Sequence, residues 1–334
     1  MIDPLQVARS GWRVGKEVDR LGAGHINDTY LVTDGVDRWV LQRINDQVFT
    51  DPALLMRNLG RVVEHVCARA PGFVPGLLSC RDGSNVFVDE EGGSWRLTEY
   101  VSGTESHRRL ESVDQATSAA RAFARYQNLL ADLPAPPLDD PIPGFMRLDG
   151  YLAALDAATA GPAGEHGAED LLGFVEGRRD LAQVLQDPGK TGGYIHGDCK
   201  INNLLFRENS SEVVCVVDLD TTMHGHWAWD FGDLARSGAV TDAGALSLEL
   251  FGALVEGFAG EKEAALGADE LVLAPRYVCF MLGVRFLTDH LDGDRYFKIA
   301  ARGDNLRRAR AQFRLLEEME ARESEMAEVA ASRR

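Results

Sequence analysis

Cysteine is scarce in this sequence, and its pattern excludes two common kinds of small fold. The five cysteines are odd in number and include no C-x-x-C pair; they stand at positions 67, 80, 199, 215 and 279. Disulfide frameworks and structural zinc sites both require closely spaced pairs of ligands. The sequence therefore predicts neither, and its cysteine usage is typical of a protein of the reducing cytosol.

Long apolar runs and an excess of basic residues are also missing. No uncharged apolar run reaches the roughly 18 residues of a membrane helix, and the N-terminus lacks a basic start followed by an apolar segment. The 35 Lys and Arg residues are outnumbered by 52 Asp and Glu, which gives a formal charge of −17. Such an acidic chain lacks the electrostatic footprint of a nucleic-acid or anionic-membrane partner. We therefore expect a cytoplasmic protein with neither kind of partner.

The sequence contains no internal repeat, and its 334 residues exceed the length at which one hydrophobic core keeps growing. Hydrophobic periodicity divides the chain into two lobes. A small, mostly β lobe of residues 1–101 contains one helix that begins at Pro52, and a mainly helical lobe follows over residues 102–334. The strands of the small lobe are expected at 17–21, 29–33, 38–44, 86–88 and 95–101. The sequence thus predicts an α+β fold.

The most informative stretch is 194–206, which reads Y-I-H-G-D-C-K-I-N-N-L-L-F. Asp198, Lys200 and Asn203 stand at relative positions zero, two and five. This spacing matches the kinase catalytic-loop pattern H-R-D-x-x-x-x-N, with Gly197 in place of the arginine. In such a loop the aspartate accepts the proton of the substrate hydroxyl, and the asparagine binds a metal ion. Lys200 is placed to neutralise the γ-phosphate of a nucleotide.

A second acidic loop begins twenty residues after Asp198, where the apolar run 213–217 ends in Asp218-Leu219-Asp220. The metal-binding aspartate of a kinase stands at such a strand end. Mg²⁺ prefers a few hard oxygen ligands, so Asn203, Asp218 and Asp220 are the predicted metal ligands, with ATP phosphates and water completing the shell. Either loop alone is typical of a turn with capping or solvated acids. Both together predict an ATP- and Mg²⁺-dependent enzyme with the bilobal protein kinase-like fold.

A glycine-rich turn between the first two predicted strands is a candidate phosphate-binding loop. It contains Gly22, Gly24, His25 and Asn27. Glycine permits a tight turn and close approach of the backbone to phosphate, while backbone N–H groups, His25 or Asn27 would donate hydrogen bonds. The stretch lacks the third glycine of G-x-G-x-x-G, so an ordinary hairpin turn is the alternative.

Three further residues complete the predicted nucleotide site. Arg43 ends the third strand, where protein kinases have the lysine of V-A-I-K, and its guanidinium would bind the α and β phosphates. A surface role on an edge strand is an equally good interpretation of Arg43. The last strand of the small lobe runs directly into Ser102-Gly103. The carbonyl of Glu99 and the N–H of Val101 are therefore the predicted hinge contacts of an adenine.

Arg285 lies on a predicted helix that is apolar on nearly all sides, so its guanidinium needs a partner. Asp289, one turn later, would provide an intrahelical ion pair. In the alternative that we favour, Arg285 reaches a cavity and binds substrate hydroxyl groups, and Gly293 bends the chain so that Tyr296 returns to the same end. A D-F-G triplet at Asp230 comes after the second acidic loop, so we interpret Asp230 as structural, capping a helix or bracing the catalytic loop.

Seven segments together resemble the N-acetylhexosamine 1-kinases, anomeric sugar kinases of the aminoglycoside phosphotransferase-like and choline kinase-like group. The resemblance extends from about residue 20 to about residue 318 and is interrupted around 104–190. The segments are H-I-N-D-T-Y-L-V (25–32), V-L-Q-R-I-N-D-Q-V-F (40–49), L-M-R-N (55–58), D-C-K-I-N-N-L-L (198–205), V-D-L-D-T (217–221), W-D-F-G-D (229–233) and R-F-L-T-D-H-L-D-G-D-R-Y-F (285–297).

The resemblance implies a kinase that uses ATP and Mg²⁺ to phosphorylate the anomeric hydroxyl of a free hexose or N-acetylhexosamine. Gly197 and Arg43 depart from the family pattern, which leaves the reaction type intact and the sugar preference open. At matching positions the resemblance implies Asp198 as base, Asn203 and Asp218 at the magnesium, His25 in the phosphate loop, and sugar contacts from Arg285 and Tyr296.

Two other functions stay open. A kinase of the same fold would act on another hydroxyl, such as a sugar 6-OH, an aminoglycoside or an amino alcohol, and a site for a cationic substrate would be lined with acids. A nucleotide-binding pseudokinase is supported by the missing third-strand lysine and opposed by the presence of Asp198, Asn203 and Asp218. The expected partners are ATP and a small sugar, and either a monomer or a homodimer is compatible with the sequence.

Overall fold

The computed structural model describes residues 2–22, 26–160, 167–185, 192–263 and 266–334. An N-terminal part built on an antiparallel sheet is followed by a larger, mainly helical part. The N-terminal part contains α1 (Pro4–Trp12), β1 (Glu17–Arg20), β2 (Asp28–Asp34), β3 (Asp37–Arg43), α2 (Pro52–Arg69), β4 (Leu77–Leu78), β5 (Phe87–Val88) and β6 (Ser94–Glu99). The larger part contains β7 (Thr104–Glu105), α3 (Val113–Leu130), α4 (Leu148–Thr159), α5 (Glu169–Glu176), β8 (Gly192–Ile195), β9 (Leu204–Arg207), β10 (Val213–Val216), β11 (Met223–His226), α6 (Trp227–Gly238), α7 (Leu248–Glu261), α8 (Ala268–Leu291), α9 (Asp304–Ala321) and α10 (Glu323–Arg333).

The N-terminal sheet has the strand order β1-β2-β3-β6-β4, and β5 pairs with β6. Successive side chains of a strand point to opposite faces of the sheet. Leu41 of β3 and Leu97 of β6 therefore lie on one face, in a core that includes Trp12 of α1. Gln42 and Arg96 are directly opposite each other in the β3–β6 pair and lie on the other face, toward the helical part.

The helix α2 crosses from the sheet to the large core. The side chain of Asp51 accepts a hydrogen bond from the N–H of Leu54, and Pro52 occupies the first turn, where its missing N–H costs nothing. Its apolar residues recur at helical spacing and form a buried stripe that joins the larger hydrophobic core; they include Leu55, Leu59, Val62, Val63 and Val66.

The helix α8 is the centre of the helical part and contacts α4, α6, α9 and α10. A Cβ built on Gly232 of α6 would lie 2.5 Å from the carbonyl oxygen of Ala274, so the closest approach of α6 to α8 requires glycine. By length and composition alone α8 could cross a membrane, but most of it is buried among these helices, as in the core helix of a globular protein.

Two small sheets bring the acidic loops together. In one, β9 lies between β10 and β7; in the other, β8 pairs with β11. The predicted catalytic loop connects β8 to β9, and Asp218 comes shortly after β10. The N–H of Val217 donates to the carbonyl of Asn203 at 3.0 Å, so the second loop begins where the first one ends.

The prediction of an α+β fold is confirmed, with strands and the α2 helix close to their expected positions. The N-terminal part has two helices rather than one, because α1 precedes the sheet. Its start carried a sequence signal, since Asp3 caps a helix with Pro4 in the first turn. The strands β4 and β7 have two residues each, too few to produce a periodic pattern.

Candidate active site

The loop that follows β8 is held by a buried carboxylate. Asp230 of α6 is fully buried, and its two oxygens accept hydrogen bonds from the backbone N–H groups of His196 and Gly197, each at 2.8 Å. Gln127 of α3 donates a third hydrogen bond to Asp230 at 2.8 Å. Asp230 thus braces the loop, and His226 rather than Asp230 caps α6. These hydrogen bonds anchor the loop to α6 and, through Asp230, to α3.

His196 connects the two acidic loops. Its Nδ1 accepts from the N–H of Asp198 at 3.2 Å, so its Nε2 carries the proton and donates to the carbonyl of Val217 at 3.0 Å. The ring is buried and meets Phe123 and Tyr126 edge to face. Asp198 is therefore fixed relative to the strand end that carries Asp218.

Asp198 forms an ion pair with Lys200 inside the loop. The Nζ of Lys200 lies 2.6 Å from Oδ2 of Asp198, and each side chain is about one quarter exposed, at 23% for the lysine and 25% for the aspartate. Burial raises the pKa of Asp198, but the charge and hydrogen bond of Lys200 outweigh it, so the pKa lies below its usual value. Burial lowers the pKa of Lys200, but the charges of Asp198 and then Asp218 raise it by more, so the pKa lies above its usual value. Asp198 is therefore an ionised carboxylate that can accept a proton.

Asn203 and Asp218 can hold a divalent cation. Both Nδ2 hydrogens of Asn203 are used on Asp198, at 2.8 Å to its carbonyl and 3.0 Å to Oδ2, which leaves Oδ1 for another ligand. Burial, and next the charge of Asp220, raise the pKa of Asp218. A cation would relieve that repulsion, so this donor set fits Mg²⁺. In the described part of the chain no three His, Cys, Asp or Glu side chains cluster as a metal site, so phosphate and water would supply the remaining ligands.

Asp220 occupies a different environment from Asp218. Its carboxylate forms an ion pair with Arg96 of β6 and accepts a hydrogen bond from Nδ2 of Asn27 at 2.7 Å. The side chains of Arg96 and Asp220 are each only 3% exposed. Asp220 was predicted to bind metal, but both of its oxygens are already hydrogen-bonded to the N-terminal part. In this state it joins the two parts of the protein.

Two cavities and a narrow gap surround these residues. The sheet-side cavity, of about 420 Å³, includes Gly22, Gln42, Arg96, Glu99, Val101, Asn203 and Asp218 in its lining. The connecting gap, of about 60 Å³, includes Asn27, Asp198, Lys200, Asp218 and Asp220. The helix-side cavity, of about 410 Å³, includes Asp198, Lys200, Arg236, Arg285 and Tyr296. Asp218 thus lines the first two spaces and Asp198 the last two, an arrangement suited to moving a small group from one cavity to the other.

Residues 17–266 match the model of the phosphotransferase enzyme family, APH. The chain belongs to this family. Similar solved structures include a microcompartment-associated aminopropanol kinase (19% identity, 93% of both chains covered, TM-score 0.62) and a choline/ethanolamine kinase family protein from Mesorhizobium loti (18% identity, 99% of this chain and 97% of the other, TM-score 0.62). A third is the amicoumacin kinase hAmiN, in complex with AMP-PNP, Ca²⁺ and Ami (14% identity, 95% and 92%, TM-score 0.61). The predicted bilobal protein kinase-like fold is confirmed.

Membership of the phosphotransferase family identifies the class of reaction that this site performs: the protein is a small-molecule kinase. The structure brings seven predicted nucleotide or metal residues to the sheet-side cavity or the gap beside it. They are Gly22, Asn27, Glu99, Val101, Asn203, Asp218 and Asp220. Gly24 and His25, which were also predicted to bind nucleotide, lie outside the described residues.

Arg43 does not reach the phosphotransferase cleft. It shares the face of Leu41 on β3, and its guanidinium lies beside Asp89, whose pKa it helps to lower, and close to Gly93. Gln42 faces the cleft in its place. The sequence left two equal interpretations of Arg43, phosphate binding and a surface role on an edge strand. Its position in the structure is that of a residue outside the site.

Arg96 is a site residue that the sequence interpretation missed. Its Nε and Nη2 donate to Oε1 of Gln42 at 2.9 and 2.7 Å, and its Nη2 donates to Asp220 at 3.0 Å. A signal was present, because Arg96 stands between the two core residues Trp95 and Leu97 and must point to the opposite face.

Arg285 and Tyr296 lie together in the helix-side cavity. The guanidinium carbon of Arg285 lies 5.3, 4.9, 5.6 and 5.4 Å from four aromatic ring centroids, and its Nη2 donates to the hydroxyl of Tyr296 at 3.4 Å; the rings belong to Phe145, Tyr151, Tyr296 and Phe297. The expected alternative, an ion pair with Asp289, does not form, because the Asp289 carboxylate accepts from backbone N–H groups of the following loop.

Proposed function

We propose that the protein transfers the γ-phosphoryl group of ATP, with Mg²⁺, to the anomeric hydroxyl of a free hexose or an N-acetylhexosamine such as GlcNAc or GalNAc. The product is the sugar 1-phosphate. The observation that carries this proposal is that Asp198, Arg285 and Tyr296 line one cavity of about 410 Å³. A base and two hydroxyl-binding side chains thus converge on a space of small-molecule size.

The charge of the helix-side cavity supports a neutral acceptor. Its described lining has five cationic side chains against the carboxylates of Asp198 and Asp233; the cations are Lys200, Arg236, Arg285, Lys298 and Arg308. Cationic acceptors such as aminoglycosides and amino alcohols need an acidic lining. Sugar hydroxyls instead accept hydrogen bonds from a guanidinium, and aromatic rings pack against the apolar faces of a sugar.

Asp198 is the residue that accepts the proton of the anomeric hydroxyl as the oxygen attacks phosphorus. Its lowered pKa keeps it ionised, and Asn203 and Lys200 hold its Oδ2 in place. Lys200 also lines the gap that the transferred phosphoryl group must cross, where its charge stabilises the phosphoryl oxygens. Mg²⁺, held by Asn203 and Asp218, would supply further charge neutralisation at the phosphates.

The nucleotide is assigned to the sheet-side cavity. The carbonyl of Glu99 and the N–H of Val101 would contact the adenine, and Gly22, Gly24, His25 and Asn27 would surround the phosphates. In this proposal residues 1–101 form the nucleotide-binding lobe, and residues 102–334 form the catalytic and sugar-binding lobe. The protein would act in the cytoplasm as a monomer or homodimer.

Two alternatives are weighed against this function. The similar structures named above include an aminopropanol kinase and a choline/ethanolamine kinase family protein, but their identities of 19% and 18% bear on fold and not on acceptor. The cationic lining of the helix-side cavity disfavours such acceptors. A pseudokinase is disfavoured because Asp198, Lys200 and Asn203 form a complete hydrogen-bonded set.

The test is an ADP-release assay across hexoses, N-acetylhexosamines, choline and an aminoglycoside, followed by phosphorus NMR of the product. We expect turnover of a neutral sugar and a phosphorus doublet from coupling to one anomeric proton. Turnover of another acceptor alone would overturn the anomeric assignment within a functioning phosphotransferase. Binding of Mg·ATP without turnover of any acceptor would favour the pseudokinase.

A further inference from the structure

The third strand of this kinase offers no cation to the nucleotide. The alternation of β3 directs Gln42 to the sheet-side cavity and Arg43 to the opposite face, beside Asp89. A phosphotransferase of this fold needs positive charge near the α and β phosphates, because those oxygens carry charge throughout the reaction. The cation must therefore come from another element.

Among the described residues that line the sheet-side cavity, Arg96 is the one cation. It lies on β6, directly across from Gln42. We propose that Arg96 binds the phosphates of the nucleotide, and that the phosphate-binding cation of this protein has moved from β3 to the neighbouring strand. The move keeps the charge on the same face of the sheet, one strand spacing from the usual position.

The hydrogen bonds of Arg96 hold its guanidinium ready for a ligand. A guanidinium has five N–H donors. Four hydrogen bonds are made, two to Gln42 and two to Asp220, which leaves one Nη1 hydrogen for an oxygen in the cavity. Because Asp220 and Gln42 fix the orientation of the side chain, a phosphate would bind without the entropy cost of ordering a free arginine.

Stability alone does not explain why the ion pair between Arg96 and Asp220 is buried. Removing two charges from water costs several kcal/mol per ion in real proteins, and apolar residues of similar volume often do as well or better. Arg96 and Asp220 are nonetheless both 3% exposed, and Asp220 stands two residues from Asp218 in the second acidic loop. In protein kinases the β3 lysine likewise pairs with an acid while it contacts phosphate. Asp220 provides that acid here, so the same pair links the phosphate cation to the loop of the metal ligand.

The inference rests on the assignment of the nucleotide to the sheet-side cavity and is independent of the acceptor. It can therefore be tested by nucleotide binding alone. Adenosine, ADP and ATP share one base and ribose and differ in phosphates. Loss of a phosphate contact weakens ADP and ATP but spares adenosine, whereas general damage to the cavity weakens all three.

The experiment is calorimetric titration of adenosine, ADP and ATP, with Mg²⁺ and with EDTA, into wild type, R96Q, R96K and R43Q. We expect R96Q to raise the Kd of ADP and ATP at least about tenfold, since a charge-assisted hydrogen bond is lost. The Kd of adenosine should change less than about twofold, R96K should recover part of the loss, and R43Q should resemble wild type.

Several outcomes would overturn the inference. They are an unchanged ATP affinity in R96Q, an equal loss for adenosine and ATP, or a selective loss in R43Q. If R96Q does not fold because Asp220 is left unpaired, R96K and the charge-neutral double variant R96Q/D220N carry the same comparison. Wild type that binds no nucleotide would refute the assignment of the sheet-side cavity itself, which is a separate failure.

Discussion

The carboxylate of Asp289, in the last turn of α8, accepts a hydrogen bond from the backbone N–H of Tyr296 at 2.7 Å. The same carboxylate accepts from the N–H groups of Arg295 at 2.8 Å and Phe297 at 3.0 Å, and from Nδ2 of Asn305 at 2.8 Å. Three consecutive backbone amides therefore converge on one buried side chain. The loop that carries Tyr296 is held against the helix that carries Arg285, which places both side chains in the helix-side cavity.

Replacing Asp289 with asparagine should weaken acceptor binding indirectly, through the loop that carries Tyr296, because Asp289 itself does not contact the acceptor in this proposal. An amide must turn its NH₂ toward one pair of N–H donors, so the loop loses hydrogen bonds to a charged group. We expect the KM of D289N for the acceptor to rise at least about tenfold, with the KM for ATP unchanged. The matched control is D292N, which removes an exposed charge one residue beyond the helix. Equal effects of both variants, or equal effects on the two KM values, would refute a positioning role.

Gly197 should not tolerate a side chain. Its φ is 80°, and a Cβ built on it lies 2.7 Å from the carbonyl oxygen of Thr221. The backbone conformation alone costs about 1–3 kcal/mol for other residues. We expect G197A to lower the midpoint of thermal unfolding and to reduce kcat by displacing Asp198. The control is G193A in β8, where a Cβ would meet nothing within 4 Å; similar unfolding midpoints for both variants would contradict the expectation.

The catalytic loop could be predicted from the sequence because its contacts are local. The side chains of Lys200 and Asn203 both donate hydrogen bonds to Asp198 within one short loop, so the spacing of the three residues along the chain already describes their geometry. Arg285 and Tyr296 are likewise joined by the end of one helix and a short loop. The spacing of residues along the chain therefore predicts their geometry where only a short segment with little conformational freedom separates them.

The position of Arg96 in the sheet-side cavity could not be predicted in the same way, because it depends on strand register. A shift of one residue exchanges the two faces of a strand, and this alone decides that Gln42 rather than Arg43 faces the cleft. Arg96 then meets Asp220 across 124 positions of sequence. No local spacing encodes such a contact, so Asp220 resembled a second metal ligand when only the D-L-D triplet was visible.

Removing the guanidinium of Arg285 should affect the acceptor and spare the nucleotide. Arg285 lines the helix-side cavity and does not line the sheet-side cavity. We expect R285A to raise the KM for the acceptor about tenfold to a hundredfold, the effect of losing hydrogen bonds from a charged donor, with little change in the KM for ATP. The control is R276A, an arginine of the same helix that pairs with Glu323 at 2.6 Å. A similar rise in both KM values would indicate general disruption of α8.

Asp198 should be needed for turnover and not for nucleotide binding. It lines the connecting gap and the helix-side cavity but not the sheet-side cavity. Loss of a general base typically costs a factor of about 10²–10⁴, so we expect kcat of D198N to fall at least about a hundredfold while the Kd of Mg·ATP stays close to wild type. Steady-state kinetics and calorimetry measure the two quantities separately. Turnover near the wild-type rate would remove Asp198 as the base.

Asp218 and Asp220 should give opposite results when each is replaced, although only one residue separates them. Asp218 has a pKa raised by burial and by the neighbouring carboxylates and fits a metal ion, whereas Asp220 is paired with Arg96. We expect D218A to abolish the gain in ATP affinity that Mg²⁺ provides, measured by calorimetry with Mg²⁺ and with EDTA.

D220N should instead leave Arg96 buried beside a neutral side chain. Breaking a buried pair by removing one partner costs about 3–5 kcal/mol, so urea unfolding of D220N should show a loss of that order, while its binding of ATP should still respond to Mg²⁺. D218A, which removes an unpaired carboxylate from an acidic cluster, should unfold at a similar or higher urea concentration than wild type. If D220N lost the response to Mg²⁺ as D218A does, Asp220 would be a second metal ligand, and its ion pair with Arg96 would have to open when the metal binds.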